Sequence, residues 1–322
     1  MDSEDTQVMI KALKQLGVQI NSDWVSNQVT VIGNNGPFIH QKKQILDLGN
    51  AGTALRPLAA TLSASRGEYV LDGTSRMRER PIGDLVDGLR QLGVEISCSA
   101  TGCPPVHIHA KGMAAGTVEI SGKTSSQFVS ALLLASPLCS DAGEVTVKIS
   151  NELISAPYVS MTIHLMKQFH VHVRTYDHNS KTYTIPAQQR YASPSRLFVE
   201  GDASSASYFL AGGAITGGPV MVRGCGGTSI QGDTRFAHIL QKMGASVTWT
   251  ANSITVQRDV PTSPLVAIDE DCGDIPDVAM TLAIVAVFCT GVTRLRHLGS
   301  WRLKETQRME AMVTELRRIG VR

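Results

Sequence analysis

The sequence has little net charge, few aromatic residues and no C-x-x-C cysteine pair. Its 30 lysines and arginines are balanced by 28 aspartates and glutamates, which gives a formal net charge of +2, and the basic residues do not run in blocks. This balance argues against a nucleic-acid-binding protein. The six cysteines lack C-x-x-C spacing, so we expect reduced thiols in an intracellular compartment.

Long apolar runs and several catalytic motifs are also absent. The longest apolar stretch, Val278 to Cys289, is too short to span a bilayer, and the acidic start is unlike a signal or transit peptide. The sequence has no Walker A loop, no G-x-G-x-x-G after a predicted strand and no G-x-S-x-G elbow, which disfavours nucleotide triphosphatases, dinucleotide enzymes and hydrolases. Histidines at 107/109 and 170/172 are expected to alternate along strands without further ligands, so no metal site is predicted.

A phrase typical of a helix end recurs at intervals of about 75 residues. It reads Leu13-Lys-Gln-Leu-Gly-Val-Gln-Ile20, then Leu89-Arg-Gln-Leu-Gly-Val-Glu-Ile96, and later copies begin at positions 166, 240 and 316. Glycine just after a helix, followed by alternating apolar residues, predicts a helix and then a strand. With 322 residues, the chain is predicted to form two domains of repeated α/β units, at 1–199 and 200–322.

Two series of predicted helix starts contain residues that attract anions. The first series lies at 49–53, 123–127, 201–205 and 273–277, and the second begins near Pro81, Ala156, Asp233 and Lys304. Unpaired N–H groups at a helix start favour phosphate or carboxylate, and Arg56 adds a cation to the first of them. Short strands are predicted between the helices, at 106–109, 118–120, 145–149 and 220–222. The series start and stop partway through a unit, which predicts a piece of a larger protein.

Four polar segments at these helix starts each have a functional and a structural interpretation. The segment Arg76-Met-Arg-Glu-Arg80 is either a phosphate clamp or an exposed basic turn. Ser121-Gly-Lys-Thr-Ser-Ser-Gln127 either binds a phosphate ester or caps its own helix. Asp277 is either a general base or a carboxylate stabilised by the helix dipole. Lys304 and Arg308, expected one helical turn apart with Glu305 beside them, belong either to a site or to a surface ion-pair ladder.

Several segments together resemble one known family along essentially the whole chain. They are, in order, LGNAGTALRPLAA, RMRERPIGDLVDGL, SSQFVSALLLASPL, EGDASSASYFLAGGAITGG, QGDTRFA, IPDVAMT and SWRLKETQRM. This pattern resembles the 5-enolpyruvylshikimate-3-phosphate synthase family. The resemblance implies a two-domain α/β enolpyruvyl transferase fold, an inside-out α/β barrel of repeated βαβαββ units, incomplete in this chain.

The resemblance also implies an activity and a set of site residues. The family transfers the enolpyruvyl group of phosphoenolpyruvate to the 5-hydroxyl of shikimate 3-phosphate and releases phosphate, in the shikimate pathway to chorismate and aromatic amino acids, with no metal or organic cofactor. Asp277 matches the acceptor of the 5-hydroxyl proton, and Glu305 matches the residue implicated in protonating the methylene carbon. The implied substrate-binding residues are Ser125, Ser126 and Ser155 for the shikimate phosphate, Gln127 and Tyr158 for the ring, Asn50, Gly52, Thr53, Arg80 and Arg308 for phosphoenolpyruvate, and Lys304 and Ser300 as further substrate contacts.

The same resemblance sets expectations about partners and activity. It implies two small-molecule substrates, no nucleic-acid or membrane partner, a monomer, and a location in a cytoplasm or plastid stroma. The family's N-terminal lysine–serine–arginine segment and its later arginine and lysine have no counterpart in this sequence, which predicts weak turnover by this polypeptide alone. Two alternatives stay open: an impaired chain that only binds substrate, and the sister enzyme that acts on a UDP-sugar.

Overall fold

Helices and short strands alternate along the chain in the computed structural model, which describes residues 3–139, 143–175, 181–186 and 189–321. The helices are α1 (Glu4–Gln15), α2 (Gly52–Ser63), α3 (Gly83–Gln91), α4 (Ser126–Ala135), α5 (Ala156–Gln168), α6 (Ala203–Thr216), α7 (Arg235–Lys242), α8 (Pro276–Ala286) and α9 (Arg308–Arg318). Short 3₁₀ segments lie at Met77–Glu79, Ser136–Leu138, Gly232–Thr234 and Gly299–Leu303.

The strands are three to seven residues long in most cases, and some of them, such as β6 and β8, alternate between buried and more exposed residues, whereas all residues of β2 are exposed. They are β1 (Gln19–Asp23), β2 (Gln28–Ile32), β3 (Gln44–Asp47), β4 (Arg66–Asp72), β5 (Glu95–Ser97), β6 (Val106–Lys111), β7 (Gly116–Ile120), β8 (Glu144–Ile149), β9 (Arg174–Thr175), β10 (Thr182–Pro186), β11 (Val220–Arg223), β12 (Ser246–Trp249), β13 (Ser253–Gln257), β14 (Asp269–Asp271) and β15 (Arg294–Arg296). The four strand segments predicted from the sequence fall within β6, β7, β8 and β11.

One connection pattern recurs along the chain. The segment β3-α2-β4-α3-β5-β6 forms a sheet of order β3-β4-β6-β5, in which β3 and β4 are parallel and the other pairs antiparallel. The segment β7-α4-β8-α5-β9-β10 repeats this arrangement with the order β7-β8-β10-β9. The predicted βαβαββ unit is therefore confirmed strand by strand.

The remaining segments follow parts of the same pattern. The segment α6-β11-α7-β12-β13 gives an antiparallel sheet of order β11-β13-β12. Strand β14 precedes α8 in the chain and β15 follows it, and the two strands pair in parallel. Strands β1 and β2 follow α1 and form an antiparallel pair. The fold is thus mixed α/β, as the sequence predicts.

Packing divides the chain into two units. The first unit comprises Met1–Ile154, Thr162–Pro194 and Leu303–Thr306, and the second comprises Ser155–Met161, Ser195–Arg302 and Gln307–Arg322. Buried leucines of α2 and Phe128 of α4 contribute to the core of the first unit, whereas Phe236 and Leu240 of α7 and Leu282 of α8 belong to that of the second. The predicted domain boundary after residue 199 stays a prediction. No helix in the described ranges is long and apolar enough to cross a membrane.

The recurring helix-end phrase forms the same turn in each copy. The second residue after the helix has a positive φ in all of them: Gly17 (94°), Gly93 (78°), His170 (64°), Gly244 (105°) and Gly320 (84°). The following N–H donates to the carbonyl five residues earlier, for example from Val18 to Leu13 at 2.9 Å and from Val171 to Met166 at 3.0 Å. Left-handed backbone favours glycine because it has no Cβ, which explains the recurrence of glycine in the phrase.

The degraded copy of the phrase corrects one expectation about the histidines. His170 occupies the left-handed position that ends α5, and His172 lies before β9, so the prediction that this pair alternates along a strand is wrong. His107 and His109 do alternate along β6, with both side chains on its exposed face. His109 lies beside Glu68 of β4, with Nδ1 and Oε1 separated by 3.7 Å.

Candidate functional site

The start of α2, in the first unit, is built around a buried arginine. Arg80 is only 6% exposed, and its Nη1 donates to the main-chain oxygen of Asn50 at 2.6 Å and to Asn50 Oδ1 at 3.2 Å. Gly49 bends the chain here with a φ of 55°. A Cβ on Gly52 would lie 2.6 Å from Arg80 Nη2, so a larger residue here would have to displace the guanidinium. The predicted residues Asn50, Gly52 and Arg80 therefore lie together.

A second buried arginine links α2 to α4. Arg56, 7% exposed, donates from Nη1 to Gln127 Oε1 at 2.6 Å, and its guanidinium carbon lies 5.4 Å from the centre of the Phe128 ring. Burial, and then the nearby charge of Arg80, lower the pKa of Arg56. Two cations thus lie close together at the start of α2. The sequence singled out Arg56 as a cation at this helix start, and its partner Gln127 follows from the packing of α2 on α4.

Two predicted residues at these helix starts already have hydrogen-bond partners within the protein. Thr53 is exposed and its hydroxyl donates to Asp5 Oδ2, and no side chain caps the start of α2. Ser125 is the N-cap of α4, and its Oγ accepts from the Gln127 N–H at 3.2 Å. This contact is the capping role that the sequence offered as the structural alternative. Ser126, the first residue of α4, is buried.

The three arginines of the 76–80 turn have different surroundings. Arg78 is exposed and forms a two-pronged contact with Asp72, at 2.9 and 2.6 Å. Arg76 pairs with Glu79 at 2.8 Å and donates from Nη2 to the Lys304 carbonyl at 2.9 Å. One arginine of the turn, Arg78, is therefore solvated. The other two, Arg76 and Arg80, donate hydrogen bonds to main-chain oxygens.

The expected helix from Lys304 to Arg308 is absent, because α9 begins at Arg308 and residues 304–306 precede it as a bend. The carbonyl of Lys304 accepts from Arg76, and the carbonyl of Glu305 accepts from Asn50 Nδ2 at 3.2 Å. These side-chain donors take the place of the N–H groups that a helix would supply. The prediction that Lys304 and Arg308 are one helical turn apart is therefore wrong.

Asp277 is the centre of the polar contacts in the second unit. It lies in the first turn of α8, as predicted, and its Oδ1 accepts from Arg308 Nη1 at 2.5 Å. The half-buried Tyr158 lies 3.2 Å from Asp277 Oδ2 and 3.0 Å from Asp233 Oδ2. Burial, and then the charges of Asp233 and Asp277, raise the pKa of the Tyr158 hydroxyl far above its ordinary value. Three predicted residues, Tyr158, Asp277 and Arg308, are thus joined.

Ser155 and Ser300 lie in segments attached to the same α8. Ser155 is buried, has a φ of 51°, and its N–H donates to the Gly273 carbonyl at 3.0 Å. Ser300 lies in the 3₁₀ segment before residue 304, next to the buried Trp301. The Trp301 Nε1 donates to the Pro276 carbonyl at 2.7 Å, which fixes this segment against the start of α8.

Asp233 is a polar residue of this unit that the sequence did not place in the site. It is 3% exposed, and its Oδ2 accepts from Ser204 as well as meeting Tyr158. Burial raises the pKa of Asp233, and the neighbouring charge of Asp277 acts in the same direction. The only sequence signal was its position, in the QGDTRFA segment at a predicted helix start. An acidic residue at that position is explained equally well by the ordinary preference for carboxylates in the first turn of a helix.

A second buried carboxylate has an ordinary structural role. Glu270 of β14 is 6% exposed and pairs with Arg235 and, at 2.8 Å, with Lys242, both on α7. Burial acts to raise the pKa of Glu270, but hydrogen bonds from Lys242 and Arg235 outweigh it and lower the pKa on balance. This cluster ties α7 to the parallel strand pair.

A cavity of about 310 Å³ opens in the first unit where β3 and β4 end. Asp47, Asp72, Thr74 and Arg78 contribute polar groups to its lining. None of the substrate-binding residues predicted from the sequence lines it. No group of three or more metal-ligating side chains occurs in the part of the chain that the structure describes.

Comparison with known proteins identifies the family. The family model for EPSP synthase (3-phosphoshikimate 1-carboxyvinyltransferase) matches residues 1–322. The chain is 52% identical to the chloroplastic 3-phosphoshikimate 1-carboxyvinyltransferase of Solanum lycopersicum over 99% of this chain and 63% of that protein. It is 50% identical to the enzyme of Shewanella halifaxensis over 99% of this chain and 74% of that protein.

Solved structures agree with this result. EPSP synthase from Acinetobacter baumannii superposes with a TM-score of 0.76 at 25% identity, covering 98% of this chain and 71% of that one. The enolpyruvyl transferase NikO from Streptomyces tendae shares the fold, with a TM-score of 0.67 at 18% identity over 91% of this chain and 66% of that one. The chain spans 63% of the length of the tomato relative. By sequence and by fold, the chain belongs to the EPSP synthase family.

Proposed function

We propose that the chain acts in the transfer of the enolpyruvyl group from phosphoenolpyruvate to the 5-hydroxyl of shikimate 3-phosphate, with release of phosphate. The observation that carries the proposal is the Asp277 carboxylate, held by Arg308 at 2.5 Å and by Tyr158 at the start of α8. A carboxylate held between a cation and a hydroxyl is a suitable general base toward a substrate alcohol. Relatives 50–52% identical to this chain are named 3-phosphoshikimate 1-carboxyvinyltransferases.

The reaction needs two proton transfers in its addition step. Asp277 removes the proton of the 5-hydroxyl as its oxygen bonds to C2 of phosphoenolpyruvate, and Glu305 delivers a proton to the methylene carbon. The resulting adduct then loses phosphate and a methyl proton, which restores the carbon–carbon double bond. Two carboxyl groups in different environments suit opposite roles of this kind.

The substrate-binding roles follow the charges of both substrates, which are strongly anionic. In the first unit, Asn50, Gly52, Thr53 and Arg80 contact phosphoenolpyruvate, and the buried Arg56 adds positive potential near them. Arg308 is a further contact of phosphoenolpyruvate. The other assigned contacts are Ser125, Ser126, Ser155, Gln127 and Tyr158 for shikimate 3-phosphate, with Ser300 and Lys304 as further substrate contacts. Backbone N–H groups at the starts of α2 and α4 add further donors for anions.

The relatives also indicate where the chain would act. The chain acts as a monomer in a cytoplasm or a plastid stroma, without a nucleic-acid partner. Chloroplastic plant enzymes and bacterial enzymes are both among the relatives, which fits either compartment.

The test measures phosphate release and substrate binding separately on the purified chain. Turnover that depends on both substrates supports the proposal, and Asp277→Asn is expected to reduce it about 10²–10⁴-fold while shikimate 3-phosphate still binds. Asp274→Asn, an exposed carboxylate three residues away, is the matched control and keeps turnover unchanged. Binding without turnover supports the alternative of an impaired, substrate-binding chain. Absence of both, in a folded chain, contradicts the proposal.

A further inference from the structure

The contacts around Tyr158 contain one hydrogen bond more than the groups can supply if both carboxyls are ionised. The hydroxyl lies 3.0 Å from Asp233 Oδ2 and 3.2 Å from Asp277 Oδ2, and both distances suit hydrogen bonds. A phenol has one proton, and an ionised carboxylate only accepts. With two carboxylate anions, one of the contacts would set lone pairs against each other in a buried place. A single additional proton makes both contacts favourable.

The surroundings decide which carboxyl holds that proton. Asp277 has a countercharge, since Arg308 Nη1 lies 2.5 Å from its Oδ1. Asp233 forms no ion pair with any residue in the described ranges, and no main-chain N–H there donates to its carboxyl. It is 3% exposed, so water does not solvate a charge on it well. The neutral form is therefore favoured at Asp233.

The titratable and charged groups that face Asp233 also favour the neutral form. They are Tyr158 from α5, Asp202 from the start of α6 and Asp277 from α8, and both aspartates oppose a further negative charge. Arg235, two residues away in sequence, is paired with Glu270. Burial and these charges raise the pKa of Asp233, in agreement with the geometric argument.

The position of the proton follows from the two carboxyl oxygens. Asp233 Oδ1 is buried and has no hydrogen-bond partner among the described residues, so a proton there would lack an acceptor. A proton on Oδ2 does have an acceptor, because the Tyr158 oxygen lies next to it. Ser204 donates to the same Oδ2. We infer that Asp233 is protonated on Oδ2 at neutral pH and donates to Tyr158, which in turn donates to Asp277.

This chain of donors makes Asp233 a positioning residue for Asp277. Because Tyr158 already accepts from Asp233, its own proton is directed at Asp277 Oδ2 and stabilises that carboxylate. The role of Asp277 as a base rests on the proposed function, but the protonation of Asp233 does not.

Infrared spectroscopy of the folded chain without substrate tests the protonation directly. At neutral pH we expect a carboxyl C=O band that shifts in D₂O and is lost in Asp233→Asn. Asp274→Asn, an exposed acid, is the control and leaves the band in place. A wild-type spectrum without a protonated carboxyl band, or a band that survives Asp233→Asn, overturns the inference.

Tyr158→Phe tests the hydrogen bond between Asp233 and Tyr158. This variant also tests the inference if Asp233→Asn does not fold. Loss of the acceptor oxygen should move the Asp233 band to higher frequency without abolishing it. Tyr191→Phe removes a hydroxyl that donates only to the Leu134 carbonyl at 2.9 Å, and it should leave the band unchanged. A band that Tyr158→Phe does not move contradicts the hydrogen bond that we infer.

Activity distinguishes positioning from a merely structural role. Asparagine keeps an N–H donor for Tyr158, so Asp233→Asn should retain turnover within about tenfold, whereas Asp233→Ala should lose about tenfold more and shift the acidic limb of the pH profile. Equal turnover and equal pH profiles of the two variants overturn the positioning role. A chain that shows the infrared band but no turnover contradicts the proposed function and leaves the protonation inference standing.

Discussion

Replacing Gly232 with alanine should shift the start of α5 and so disturb the contacts of Tyr158 with Asp233 and Asp277. A Cβ at this position would lie 2.5 Å from Cβ and 2.9 Å from Cγ of Pro157, whereas ordinary contact begins at 3.4 Å. Pro157 is the second residue of α5, and Tyr158 follows it directly. Relief of the clash requires a displacement of roughly an ångström, which would loosen the contact between Tyr158 and Asp233.

The size of the effect follows from two opposed contributions. Overpacking of this kind costs about 1–3 kcal/mol, and the reduced freedom of the unfolded chain returns about 0.4–1 kcal/mol, since Gly232 does not have a positive φ. We therefore expect a net loss of about 1–2 kcal/mol in the free energy of unfolding. Urea denaturation followed by tryptophan fluorescence measures it as a lower midpoint with an unchanged slope.

Gly212→Ala is the matched control in the same unit. Gly212 lies inside α6, and a Cβ there would meet no atom within 4 Å. Alanine in a helix interior is favoured over glycine by about 0.5–1 kcal/mol, so this variant should be more stable than the parent. If Gly232→Ala is as stable as Gly212→Ala, the packing of Pro157 on Gly232 does not constrain α5 and the reasoning fails.

Other predictions concern a strand pair, a helix start and an arginine. Glu270→Gln should lower stability by about 1–3 kcal/mol near neutral pH. The pKa of Glu270 is lower in the folded than in the unfolded state. The stabilisation by its ionised form is therefore present above about pH 4.5 and is lost as the pH falls through the lowered pKa. The urea midpoints of parent and variant should converge in acid. Trp301→Phe removes the indole N–H that donates to the Pro276 carbonyl and should cost about 0.5–1.5 kcal/mol in the same assay. Gly52→Ala should displace Arg80 and, on the proposed function, weaken phosphoenolpyruvate binding by about tenfold in calorimetric titration; unchanged affinity would contradict that role for the guanidinium.

Local patterns in the sequence were sufficient for the repeated helix–turn–strand elements. The turn after each helix depends on a left-handed residue and a hydrogen bond over five positions, so its signal lies within a short segment. The copy with His170 in place of glycine kept the same turn because the flanking apolar residues kept their spacing. The position of Asp277 was equally local, since a proline at the first helical position and a carboxylate in the first turn mark the start of α8.

Contacts between distant segments explain the features that sequence analysis missed. The bend at 304–306 depends on donors from Arg76 and Asn50, which are 228 and 255 positions away from their acceptors. Asp233 has the local signature of any first-turn acid, and its partner Tyr158 is 75 positions away. A single sequence does not reveal which donor will reach which carbonyl, because the answer depends on the packing of whole elements.

The repeat period nevertheless explains why the polar contacts occur where they do. The fifth residue of α2 is Arg56, which contacts Gln127 of α4, 71 positions away, and the fifth residue of α6 is Ser207, which contacts Thr281 of α8, 74 positions away. Equivalent helix starts in successive repeats are thus placed side by side, once with a buried cation and once with a neutral hydroxyl.

Buried basic and acidic side chains are distributed differently between the two units. Among the described residues, the buried arginines are Arg56 and Arg80 in the first unit, and the buried acidic residues are Asp233, which we infer to be neutral, and the ion-paired Glu270 in the second. Arg80 lies just ahead of α3 and Asp233 just ahead of α7, so this position of the repeat holds a guanidinium group in one unit and a carboxyl group in the other. Exchanging these side chains should leave the βαβαββ topology intact, since that topology depends on the helix-end turns and the apolar cores.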